Sequence, residues 1–210
     1  MPIARLVWAY CGMEVPGTAR CCCIIDGTQT DVVVALGCGV GKTAVIVLPS
    51  LVENGYTVVV IPLLSLLADW KERYFKAGIP YEVWEGFKTT ALVGNCNLIL
   101  ATTDTAQGQR WETALMSLPR PVLRMVVEET HQHASELSFR ERAFSHSYRL
   151  RNSGPLQLVL VSASLPSPMV DYFTTSFGLH PNTEIFRTPA VQANIKWIRH
   201  EPLYINTQIA

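Results

Sequence analysis

The sequence is short of charge. Only 16% of its 210 residues are Asp, Glu, Lys or Arg, and 17 basic side chains are cancelled by 17 acidic ones. A chain with no net field has no overall attraction for nucleic acid or an anionic membrane, so any such binding has to be local. Long hydrophobic runs are missing too. Thr57 to Ala68 is a typical apolar stretch and stops at Asp69 after about a dozen residues, short of the roughly 20 that cross a bilayer. Near the N-terminus, Arg5 is followed only by Leu6 to Tyr10, too short an apolar region for a secretory signal. The expectation is a chain that works in the nucleus or cytoplasm, with no membrane partner.

Cysteine is present but not in any framework. The six thiols, Cys11, Cys21, Cys22, Cys23, Cys38 and Cys96, include three in a row and fit neither paired zinc spacing nor a small disulfide scaffold. Reduced thiols are expected. Internal repeats and low-complexity segments are also lacking. What remains is a chain 49% hydrophobic, which excludes a disordered or collagen-like polymer and suggests strands buried on both faces of a sheet.

From Asp31 onward short β-branched runs alternate with longer amphipathic stretches, the pattern of βαβ units around a parallel sheet. Strands are predicted at Val32 to Leu36, Thr57 to Pro62, Leu98 to Thr102, Leu123 to Glu128 and Gln157 to Ser162. Helices are predicted at Thr43 to Glu53, Leu64 to Lys76, Thr105 to Met116, a polar stretch near Ser135 to Leu150, and Pro168 to Phe177. One further short strand is expected after Asn182. Asn54-Gly55 and Lys76-Ala77-Gly78 read as helix stops. The organisation this gives is an N-terminal extension over 1–30, one α/β domain over 31–197 and a tail over 198–210.

The strongest chemical signal is Leu36-Gly37-Cys38-Gly39-Val40-Gly41-Lys42-Thr43, between an apolar strand and an amphipathic helix. Glycines at 37, 39 and 41 let the backbone curl so that several N–H groups point inward, and the helix adds its N-terminal dipole. Together these cradle a polyphosphate. Lys42 then neutralises phosphate charge, and the Thr43 hydroxyl completes a Mg²⁺ shell. A strict phosphate loop has glycine where Leu36 stands. The bland alternative is a glycine-rich turn with an incidental lysine.

A nucleotide-hydrolysing site also needs acids at the end of an apolar strand. Met125-Val126-Val127-Glu128-Glu129 supplies two, one to hold Mg²⁺ and one to orient or deprotonate the attacking water. A solvated acidic turn is the other reading of that pair.

With those residues identified, the chain resembles the first RecA-like lobe of superfamily 2 helicases, and most closely the RecQ-like group. Gly39 to Thr43 resembles motif I and Ile61 to Asp69 resembles motif Ia. Glu128-Glu129-Thr130-His131 stands where the DEAH box belongs, Val161 to Pro166 resembles motif III, and Phe186 to Trp197 resembles the segment that closes the lobe. The resemblance implies a three-layer, parallel-sheet P-loop NTPase (RecA-like) fold and an ATP- and Mg²⁺-dependent enzyme that moves along DNA. Carried over position by position, Gly37 to Thr43 bind nucleotide, Lys42 and Glu129 are catalytic, and Thr43 and Glu128 hold the metal. His131, Ser162 and Ser164 couple the nucleotide site to nucleic acid, while Ser65, Phe139 and Arg140 touch it.

Four departures from that pattern carry expectations. Thr18 stands where the family places an adenine-reading glutamine. Glu128 replaces the metal-site aspartate and is one methylene longer, enough to displace a water shell. The aromatic-rich loop after the DEAH box is reduced to Glu136 to Arg140, without its tryptophan. Motifs IV to VI, which belong to a second RecA-like lobe, do not occur, so the lobe is expected to bind ATP but not to unwind a duplex unaided. A degenerate nucleotide-binding or scaffold module is the competing reading. A GTPase is disfavoured, since no Asn-Lys-x-Asp pattern occurs.

Overall fold

The computed structural model describes residues 30–37, 41–135, 151 and 156–187. Its centre is a seven-stranded sheet built from β1 (Val32–Ala35), β2 (Tyr56–Ile61), β3 (Glu82–Trp84), β4 (Leu98–Thr102), β5 (Val122–Val127), β6 (Gln157–Ser162) and β7 (Glu184–Arg187). The spatial order is β3-β4-β2-β5-β6-β1-β7, and every neighbouring pair is parallel. Runs such as Val32-Val33-Val34 and Val58-Val59-Val60 favour the extended chain because branching at Cβ restricts χ1 and suits a pleated, doubly covered surface.

Because successive side chains point to opposite faces, the alternation along each strand sorts them into two cores. Val33, Val58, Val60, Ile99, Met125, Leu158 and Leu160 pack on one face with Trp111 and Leu115 of α3 (Gln109–Met116) and Phe173 of α4 (Ser167–Ser176). Val32, Val34, Val59, Leu98, Leu100, Val126 and Val159 pack on the other, with Val45, Ile46 and Leu48 of α1 (Lys42–Val52) and Leu67, Trp70 and Tyr74 of α2 (Leu64–Ala77). A three-layer α/β sandwich results. No helix among the described residues is long and apolar enough to cross a membrane.

Most expected elements are present within a residue or two at their ends. The helix expected from Thr105 starts at Gln109 instead. Thr105 is occupied otherwise: its hydroxyl donates to the Trp84 carbonyl at 3.1 Å and accepts from the Thr102 N–H at 3.0 Å. Gly108, at φ 82°, then breaks any helical continuation before Gln109. β3 was not expected, and it contributes an edge strand of only three residues. The polar helix near Ser135 to Leu150 lies outside the described residues.

Since the sheet is all parallel, the C-terminal ends of its strands share one edge. The chain leaves β1 and passes beyond β6 and β5 before it forms β2, so the start of α1 faces the ends of β5 and β6. That edge is where open parallel sheets hold their ligands.

Candidate nucleotide site

At this edge the sequence-predicted residues come from three neighbouring strands. Gly41 has φ 89° and ψ 24°, a left-handed conformation that a side chain would strain, and it turns the loop after β1 directly into α1. Its carbonyl accepts from the N–H groups of Ala44 at 3.0 Å and Val45 at 3.3 Å. Lys42 and Thr43 therefore occupy the first turn of a helix whose opening N–H groups lack partners within the helix, the arrangement that binds anions.

The acids follow β5. The Glu128 N–H donates to the Val60 carbonyl at 2.9 Å, which continues the β5–β2 pairing and buries the Glu128 side chain. Glu129 then adopts φ 46°, uncommon outside glycine, and bends the chain into a 3-10 turn over Thr130–Ser135. That bend directs Glu129 Oε1 to 3.7 Å from Lys42 Nζ. Buried Thr130 fixes the turn, its hydroxyl donating to the carbonyls of Val127 at 2.9 Å and Val161 at 3.1 Å. Sequence reasoning gave Thr130 no role. A hydroxyl directly after an acidic pair was the available signal.

The same turn brings His131 Nδ1 to 2.9 Å from Ser162 Oγ and to 3.3 Å from Glu129 Oε2. Ser162 in turn donates its hydroxyl to the Ser164 carbonyl at 3.0 Å, and its own carbonyl accepts the Leu36 N–H at 3.1 Å. A continuous polar path thus links Lys42 of α1, Glu129 and His131 after β5, and Ser162 at the end of β6. Ser65 is elsewhere, exposed in the first turn of α2 after β2. Gly37 ends the described loop segment. Thr18, Cys38, Gly39, Val40, Phe139 and Arg140 lie outside the described residues.

Electrostatics set Glu128 apart. Burial, reinforced by the Glu129 charge and opposed by Lys42, raises its carboxyl from the ordinary 4.5 to about 7. One carboxylate oxygen of Glu128 has no hydrogen-bond partner among the described residues, and one of Glu129 has only the 3.3 Å approach of His131 Nδ1. Buried acceptors in that state call for a cation or water, which fits a hydrated Mg²⁺. Among the described residues no group of three or more His, Cys, Asp or Glu could hold a metal ion. A cation here needs oxygens from water and a phosphate, which is how Mg²⁺ is commonly bound.

Lys42 at the start of α1 thus stands opposite the acidic pair that follows β5. The family model for DEAD/DEAH box helicases matches residues 18–172. The chain belongs to this family. No curated protein sequence matches it in a direct comparison.

Solved structures similar to this DEAD/DEAH box lobe agree on its fold. The DUF1998 helicase MrfA bound to DNA has a TM-score of 0.68 at 13% identity, over 90% of this chain and 30% of that one. A Dbp5 variant from S. cerevisiae bound to RNA and ADP–BeF3 also scores 0.68, at 18% identity, over 90% of this chain and 50% of that one. The SWI2/SNF2 ATPase core of Sulfolobus solfataricus in complex with dsDNA scores 0.59 at 15% identity, over 80% and 35%. The DEAD/DEAH box lobe thus spans half or less of the length of these structures.

Proposed function

We propose that this DEAD/DEAH box lobe is the ATP-binding half of a RecQ-like DNA helicase, acting in the nucleus or cytoplasm together with a second RecA-like lobe supplied in cis or in trans. The observation that carries the reading is the approach of Lys42 Nζ to Glu129 Oε1 at 3.7 Å, beside the buried carboxylate of Glu128. A triphosphate entering the site would exchange that internal pair for phosphate contacts to Lys42, leaving Glu129 free to accept a proton from water.

In this reading Gly37, Cys38, Gly39, Val40 and Gly41 cradle the phosphates, and Thr43 and Glu128 hold Mg²⁺, which would neutralise charge developing on the transferred phosphoryl group. His131, Ser162 and Ser164 report the state of the nucleotide to a strand lying on the same edge. Ser65, Phe139 and Arg140 touch that strand, largely through phosphate contacts that carry no sequence information. MrfA and the SWI2/SNF2 core were solved with DNA and the Dbp5 variant with RNA. The similarity of Ile61 to Asp69 to the RecQ-type motif Ia favours DNA for this chain.

Glu128 favours a second reading, a degenerate nucleotide-binding or scaffold module. It stands where the family places a shorter aspartate, and the extra methylene shifts the carboxylate relative to a bound metal. The deciding experiment adds a helicase second lobe in cis and compares the parent with Glu128→Asp and Thr18→Gln. DNA-stimulated ATP hydrolysis in the substituted chimera supports the helicase lobe, and continued silence supports the scaffold.

A further inference from the structure

The outer end of the same edge carries a feature that the nucleotide site does not use. Between α3 and the segment after β3 lies a groove of about 540 Å³, inside the range of sites that take small ligands. Trp84 lines it, buried, with its indole N–H already donated to the Thr105 carbonyl at 2.9 Å. Arg110, at the start of α3, places its guanidinium carbon 5.9 Å from the Trp84 ring centroid and 5.5 Å from that of Phe87. Phe87 is 93% exposed.

A phenylalanine left in water forgoes the stabilisation that burial would give it. The turn that presents it, Gly86–Lys88, is nonetheless braced. The Glu85 N–H donates to Thr89 Oγ1 at 2.8 Å, the Thr89 N–H donates to the Gly86 carbonyl at 3.2 Å, and Arg110 donates to the Thr89 carbonyl at 2.8 Å. The ring is thus held out by a fixed turn, against a guanidinium that is itself fixed.

We infer that Phe87, Arg110 and the Trp84-lined groove form a subsite for one unstacked base of a single-stranded nucleic acid. This rests on the helicase reading and extends it. Aromatic and guanidinium faces stack on any base, and exposed Lys88 on the same turn suits the adjoining phosphate. Position supports the same occupant. β3 stands three places from β5 in the sheet, about 14 Å at ordinary strand spacing, and its C-terminal end opens on the edge that carries Glu129 and Ser162. A strand crossing that edge past β6 and β5 would run onto Phe87.

The test uses the full chain, a single-stranded oligonucleotide carrying 5-iodouracil, and its abasic counterpart. Photocrosslinks should map to Phe87 or its turn. Phe87→Ala should weaken binding of the intact oligonucleotide on the order of ten-fold, the usual loss for one stacked base. Phe87→Trp should restore it, and the abasic strand should not distinguish the parent from Phe87→Ala. An unchanged melting temperature for Phe87→Ala serves as the fold control, as expected for a ring already in water. Crosslinks confined to Ser65 and Ser164, with Phe87→Ala binding as the parent does, would overturn the subsite and leave the helicase lobe standing. No oligonucleotide binding at all, with ATP binding intact, would overturn the subsite and the nucleic-acid part of the proposed function together.

Discussion

Lys42 and Glu129 meet at 3.7 Å although one opens α1 and the other follows β5. Neither side chain is free in water, and neither is deeply buried. The pair is held from both sides, by the left-handed Gly41 before Lys42 and by the positive φ of Glu129 itself. If Glu129 is the base, Glu129→Gln in a chimera with a helicase second lobe should keep ATP binding and lose hydrolysis by about 10²-fold or more. A loss confined to KM would place Glu129 in binding instead.

The chain's response to pH should report on Glu128. A carboxyl raised from 4.5 to about 7 on folding binds more protons in the folded state than in the unfolded state between those values. Its contribution to stability is therefore complete below 4.5 and is lost as pH climbs through 7, a change of about 3 kcal/mol for a shift of that size. Urea unfolding of the metal-free parent and of Glu128→Gln should show the variant gaining on the parent from pH 5 to pH 8. Parallel pH profiles would mean that Glu128 is solvated.

At the opposite edge of the sheet, Arg124 of β5 is buried and makes two 2.8 Å hydrogen bonds to the carboxylate of Glu53, which ends α1. Arg124 also donates to Gln157 of β6 at 2.8 Å. Asn97 adds hydrogen bonds to the carbonyls of Ser50 and Glu53 at 3.0 and 2.9 Å. Removing one member of a buried ion pair strands its partner, so Arg124→Met should cost about 3 kcal/mol, lowering the melting temperature by roughly 10 °C. The double variant Arg124→Met, Glu53→Met should recover much of that loss. If it recovers none, the arginine acts through its other partners.

His131 touches Ser162 and Glu129, and in the proposed reading it couples the nucleotide site to nucleic acid instead of holding phosphate. His131→Ala should leave ATP affinity within about five-fold while reducing the stimulation of hydrolysis by DNA in the two-lobe chimera, because the loss of one such hydrogen bond is worth only about 1 kcal/mol. Loss of ATP affinity would move His131 into the binding site proper.

Much of the fold was legible because the buried strands are β-branched and nearly uninterrupted. β3 was not, since Glu82-Val83-Trp84 is too short to show a period and is only partly buried. The start of α3 was misplaced because Thr105 reads as an ordinary helix residue, whereas its hydroxyl serves the ends of β3 and β4. The turn at Gly41 into α1 could be read because its glycine and the first helical residues are contiguous in sequence. The Lys42–Glu129 approach was expected from the role of paired acids in such sites and from the family resemblance, since it depends on the strand order β5-β6-β1, which no local pattern encodes. The Phe87–Arg110 contact escaped because the two residues are joined only by the packing of α3 against the turn after β3.

The most direct test of the central claim is calorimetric titration of the purified chain with ATP and Mg²⁺, run beside Lys42→Ala. The account predicts saturable binding by the parent, with an affinity at least ten-fold weaker in the variant, since a charged phosphate contact is worth about 1.5–3 kcal/mol. Equal titrations for the two proteins, or no heat from either, would contradict it.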